Sequence, residues 1–176
     1  MKKITSILSI MALTAVFSSS VLAQGTQPAS ATSASSTTIV APIAISNSIP
    51  LAFGSFASNA SGTLVLSVAG IQSSTGGVKL TSAKGDPTAA KFTVTGQGAY
   101  AYTVTLPTSL TLTTAVAGTL KTMEVTTFVS SLASGIGALA SGTQDFTVGA
   151  TLNVGANQVV GLYQSITPFT VIVNYN

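Results

Sequence analysis

Period-two alternation of apolar residues constrains the fold of this chain more than any other feature. Ile39, Ala41, Ile43 and Ile45 alternate with Val40, Pro42 and Ala44, and after a short break the run from Ile49 to Phe53 resumes the strand and stops at Gly54. Similar runs follow at Leu64, Leu66 and Val68, at Val78 and Leu80, at Phe92 and Val94, and at Tyr100, Tyr102, Val104 and Leu106 before Pro107. Leu110 with Leu112 and the stretch 125–129 come next, and Phe146, Val148, Ala150, Leu152 and Val154 form the longest clean alternation. Successive side chains of a strand point to opposite faces, so each run describes a strand with one buried side. Glycine and serine clusters separate the runs at short intervals. That spacing predicts an all-β antiparallel sandwich of the immunoglobulin-like type. Pro42 predicts an edge position for the first strand, because proline cannot donate to a ladder. The segment Ser131 to Gly142 has a different rhythm, rich in alanine but broken by glycine, and reads as a loop with at most one helical turn.

The N-terminus predicts export. Met1-Lys2-Lys3 precedes an apolar run from Ile4 to Phe17 and a Val21-Leu22-Ala23 boundary, the three parts of a bacterial secretory signal with cleavage after Ala23. The run is short for a membrane span, and Ser, Thr and Gln rather than lysines follow it, so no stable membrane insertion is expected. Residues 24–38 are small and polar and read as a flexible arm, leaving 39–176 as one domain. Beyond Ala23 the charges are Lys79, Lys84, Lys91, Lys121, Asp86, Glu124 and Asp145, so the formal balance falls from +3 to +1. Hydroxyls and amides, not charge, must wet this surface. That suits an extracellular structural protein.

The last stretch, from Gln158 to Asn176, carries the main functional clue. Gly161 and Tyr163 make a turn signal, and Phe169, Val171, Val173 and Tyr175 then share one strand face. In immunoglobulin-like sandwiches a tyrosine at a tight corner opens the sixth strand, and a seventh should follow. Two readings stay open. Either Tyr163 lies in an ordinary turn before the last strand of a complete sandwich, or the domain lacks its last strand. In the second case the open groove is filled by another segment or another molecule.

Composition removes most reaction chemistry. The chain has no histidine and no cysteine, hence no usual general base, no thiol nucleophile, no disulfide and few ligands for a transition metal. Asp86, Glu124 and Asp145 lie on separate segments, and Ser82-Ala-Lys84 reads as a solvated turn, so no catalytic, metal or cofactor residue is expected. Gly96-Gln-Gly98 and Gly135-Ile-Gly137 satisfy a loose dinucleotide pattern without the strand-to-helix context it needs. Lys79, Lys84 and Lys91 cluster without arginine or interleaved aromatics, which argues against nucleic acid. Asn59-Ala-Ser61 is a formal glycosylation sequon that a polar turn explains.

Several segments together resemble a known family. Pro42-Ile43 with Leu51-Ala-Phe53-Gly54, Phe92-Thr-Val-Thr-Gly96, Tyr102-Thr-Val-Thr-Leu106-Pro107, Val148-Gly-Ala-Thr-Leu152-Asn-Val154 and the ending from Gly161 and Tyr163 to Asn176 resemble the bacterial domain of unknown function family 4402. Ala150 departs from the pattern, where glycine is more usual. The resemblance implies a secreted immunoglobulin-like domain similar to pilins of the chaperone and usher route, with no catalytic residues. It implies a structural, fimbrial subunit that polymerises with copies of itself by donor-strand exchange. A periplasmic chaperone and an outer-membrane usher would be its partners in transit to the cell surface or an extracellular fibre. On this reading an arm of about residues 29–40, with Ile39 and Val40 as its contacts, is the donor, and the strand from Ala41 stays in its own domain. Phe169, Val171, Val173 and Tyr175 are then the groove wall and chaperone-contact strand. The competing assignment puts Ile39, Ala41, Ile43 and Ile45 in the donor. The alternative function is a monomeric secreted sandwich that binds a glycan or cell-surface component, favoured if 39–45 pairs back on the C-terminal strand of its own chain.

Overall fold

The computed structural model describes residues 28–114 and 121–176. The expected signal sequence and its cleavage at Ala23 lie outside the described residues. Residues 28–38 are exposed and without strand pairing. From Ile39 to Asn176 the chain forms one compact unit.

Its described residues form eleven strands: β1 (Ala44–Ile49), β2 (Phe56–Leu66), β3 (Gln72–Leu80), β4 (Ala90–Thr95), β5 (Tyr100–Thr105), β6 (Ser109–Thr114), β7 (Lys121–Ser130), β8 (Ile136–Leu139), β9 (Thr143–Val154), β10 (Tyr163–Gln164) and β11 (Ile172–Tyr175). The larger sheet runs β1-β4-β9-β7-β6-β10, with β2 also on β9 and β3 on β2; the smaller runs β11-β5-β8. Every pairing is antiparallel. The all-β sandwich is therefore the observed fold.

The longest alternation in the sequence is the hub of the larger sheet. β9 takes β4 along its first half and β2 along its second on one edge, and β7 on the other. Gly149 marks the handover, where a Cβ would stand 2.3 Å from the Leu66 carbonyl oxygen. Only a glycine lets β2 approach there. The inward residues of β9 then serve two cores. Ala150, Leu152 and Val154 join Phe53, Leu64, Leu66, Val78, Met123 and Val125, while Phe146 and Val148 join Ala90, Phe92, Val94, Tyr102, Leu139, Val171 and Val173. Leu51 and Phe128 pack against both.

Three expectations change. The segment from Ser131 to Gly142 is not simply a loop: a short 3-10 turn, Ala133–Gly135, leads into β8. Gly137 and Leu139 face inward there while Ile136 and Ala138 face out, and the glycine hides the alternation. The first strand begins at Ala44, later than the apolar pattern, and runs through the expected break to Ile49. It is an edge strand, as Pro42 implied. Finally, Tyr163 does not open the strand that holds Val173, because β10 pairs with β6 in the larger sheet before the chain crosses to β11 in the smaller.

Candidate functional site

Two unsatisfied sheet edges lie beside the second core. Among the described residues β1 pairs only with β4, and β11 only with β5. Among the described residues the two strands exchange no backbone hydrogen bond. The pairing of 39–45 with the C-terminal strand, which would have favoured a monomeric binding module, is absent there.

The phase of β11 follows from one bond. The Asn176 N–H donates to the Ala101 carbonyl at 3.2 Å, opposite in register, so residues 172, 174 and 176 face β5 with their backbone groups. Val171, Val173 and Tyr175 therefore send backbone N–H and C=O groups to the open edge and their side chains into the core. Val171 and Val173 are each only 9% exposed. Phe169 continues the inward face, its ring 6.2 Å from Phe92 and 5.2 Å from Phe128, while Phe92 stacks on Phe146 at 5.4 Å. From the other side Ile43 and Ile45 pack on the same cluster. Below the gap, then, the interior is already filled with large side chains. What the edges offer is hydrogen bonding more than an empty apolar trench.

Tyr175 closes one end of this gap. Its hydroxyl accepts the Gln97 N–H at 2.6 Å and donates to the Ala41 carbonyl at 2.8 Å, and its ring meets Tyr100 edge-on at 5.5 Å. The Gln97 side chain also accepts the Ala41 N–H at 3.3 Å. Gln97 carried no signal in the sequence, since its amide acts through a tertiary contact with residue 175. Ile39, beyond this tie, is 93% exposed, and Val40 is half-buried. Tyr163 sits in a corner of the other core, its hydroxyl 3.0 Å from both the Val159 carbonyl and Gln158 Oε1, which share its one proton. A phenol tied to the backbone four residues upstream is the geometry of a tyrosine corner. Gly161 is exposed beside it.

Titratable groups do not converge. Asp145 is exposed, and the Lys91 ammonium at 2.8 Å, with the Thr93 hydroxyl at 2.7 Å, holds its carboxyl below the usual range. Glu124 stands opposite Asn153, so about eight residues of β9, roughly 25 Å, separate it from Asp145. No group of three His, Cys, Asp or Glu side chains gathers among the described residues. No helix there is long and apolar enough to cross a membrane. Burial raises the Tyr102 phenol above its ordinary value, and its hydroxyl donates to Gln144 Oε1 at 2.9 Å.

The family profile described as Domain of unknown function (DUF4402) matches residues 43–175. The chain belongs to this family. The DUF4402 match runs from just before β1 to the last residue of β11, so both open edges lie inside the family domain, whereas Ile39, Val40 and the segment before them lie outside it. No curated protein and no solved structure matches the chain.

Proposed function

We propose that this DUF4402 protein is an exported, pilin-like structural subunit whose N-terminal arm adds as a strand to the gap between β1 and β11 of the next copy. The observation that carries the reading is the pair of unpaired edges flanking one filled core. An added strand must part β1 from β11, whose Cα atoms come within 8 Å of each other where a seated strand needs about 9.5 Å, and it then satisfies main-chain groups on both sides at once. The arm's composition fits the filled interior. Ala31, Ser33 and Ser35 are small, as a strand must be when Phe169, Ile43 and Ile45 already occupy the space beneath it. A periplasmic chaperone would cover the same edges in transit, and an outer-membrane usher would order the exchange. No catalytic role is proposed.

A second reading has its own support. Because Val171 and Val173 are buried without any added strand, the domain can also persist as a monomer, and a monomeric secreted sandwich that binds a glycan or surface component would then be its role. Surface-sheared material on an SDS gel, with and without boiling, separates the two. Interlocked subunits give a ladder that collapses to one band only on boiling, since the chain has no cysteine to cross-link it. A monomer in both lanes, with full-length protein in the medium, overturns the polymer and favours the second reading.

A further inference from the structure

The segment between β9 and β11 exposes three large apolar side chains that neither core explains. Val160 is 98% exposed, Leu162 71% and Ile166 85%. They flank the two-residue strand β10 in a segment that bends at 160–161 and 166–167, while Val159, Tyr163 and Ser165 beside them are half-buried. Gln158 Nε2 donates to the Thr122 carbonyl, and β10 pairs with the Thr114 end of β6. This places the segment at the Val154 pole of the molecule. Of the other exposed aliphatics, Ile71 at 68% lies in the β2–β3 turn, whereas Ile39 belongs to the opposite pole, where Ala41 is tied to Gln97 and Gln97 follows the end of β4 that pairs with Thr143. Twelve residues of β9 separate the poles, roughly 35 Å.

We infer that Val160, Leu162 and Ile166 form the seat for Ile39 and Val40 of a neighbouring copy, a head-to-tail contact at the mouth of the gap. This rests on the polymer proposed above. Three further observations single out a second copy as the occupant. First, the two apolar elements are on opposite poles of one chain, so joining them repeats without limit and gives a heterologous, fibre-forming contact. Second, the lengths agree. From Ile166 to Tyr175 is nine residues with a bend at 166–167, at most about 30 Å, and residues 28–38 of an incoming copy, if fully extended, span about 36 Å. With Ile39 seated beside Ile166, the arm reaches the whole open edge of β11. Third, the direction is favourable. An arm that enters at Ile166 has its N-terminal end near Tyr175 and so runs antiparallel to β11, the stronger of the two ladders per residue. The small-residue arm then supplies hydrogen bonds, and the apolar burial that holds the register comes from this seat.

The cysteine-free chain makes the test direct. The double variant Ile39→Cys with Leu162→Cys is exported, sheared, mildly oxidised and run on SDS gels. Because the poles are far beyond the roughly 7 Å limit for a disulfide, no bridge can form within one copy. The expected result is a ladder of many rungs that survives boiling and collapses with reductant, with either single variant resembling wild type. Leu162→Asp, at an exposed site, should slow assembly at least tenfold with an unchanged melting temperature. A ladder in the unboiled lane with only monomer in the boiled, non-reduced lane overturns the seat while leaving the polymer standing. Equal cross-linking by a single variant also overturns it. If no lane of any variant contains a ladder, the polymer itself fails and the seat with it.

Discussion

Gly137 faces Tyr102 across the β5–β8 ladder, and a Cβ there would lie 2.2 Å from the tyrosine ring. The ring has nowhere to go, because it is fully buried and its hydroxyl is fixed by Gln144, which also accepts the Ala138 N–H at 2.8 Å. Gly137→Ala should therefore cost about 2 kcal/mol through overpacking. In a domain of this size that lowers the melting temperature by roughly 4–8 °C, which a thermal scan would detect. Thr127 is the opposite case. It holds φ = 51° where the register of β7 against β9 slips, and that bulge turns Phe128 toward Phe169. A β-branched residue in the left-handed region is strained by about 1 kcal/mol, so Thr127→Gly should raise the melting temperature by roughly 2–4 °C. Burial of Tyr102 also sets the sign of an alkaline effect. A phenol whose folded value is raised gives stability that is intact below its ordinary pKa of 10.0 and is lost as pH climbs past it.

At the scale of elements, the ends of β1 and β11 are joined by a side chain where a ladder is missing. The Tyr175 hydroxyl spans from Ala41 to Gln97, so Tyr175→Phe leaves the Gln97 N–H and the Ala41 carbonyl without that partner. The expected cost is about 1–2 kcal/mol, together with at least tenfold faster hydrogen exchange at the Gln97 amide and little change at amides of β9. How legible these elements were depended on whether their inward residues were large. β9 shows Phe, Val, Ala, Leu and Val in strict alternation and could be read directly, as could the inward face of β11 from Phe169 to Tyr175. β8 could not, since one of its two inward positions must be empty to admit Tyr102. The late start of β1 was illegible for a related reason. Apolar alternation from Ile39 to Ile45 starts in residues that are exposed, Ile39 and Ala41; only Ile43 packs before the strand, and pairing with Thr95 begins at Ala44. At the candidate site, the inward side chains of β11 were readable from parity, but its neighbour across the gap was not, because no local pattern says which strand edges remain unpaired.

For the whole molecule, stability and assembly should separate cleanly. Both cores are built from residues of the unit Ile39–Asn176, and none of their members lies in 28–38. A mature form that begins at Ile39 should consequently melt within about 2 °C of the full mature chain, since each kcal/mol lost would show as roughly 2–4 °C. The same truncation should abolish the unboiled ladder, because the arm is the proposed donor while the acceptor edges remain intact. Mixing supplies the complementary result: truncated subunits can receive an arm but not give one, and so should cap growing polymers and shorten the ladder in proportion to their share. Hydrogen exchange reads the acceptor directly. Amides of Val171, Val173 and Tyr175, which face the open edge in the truncated monomer, should become protected in assembled wild-type material, while those of residues 172 and 174, already paired with β5, should change little. A ladder that persists without the arm would move the donor into Ile39 to Ile45. A melting temperature lower by 10 °C or more would instead place the arm within its own domain's fold, and the open edges would then belong to a self-complemented monomer.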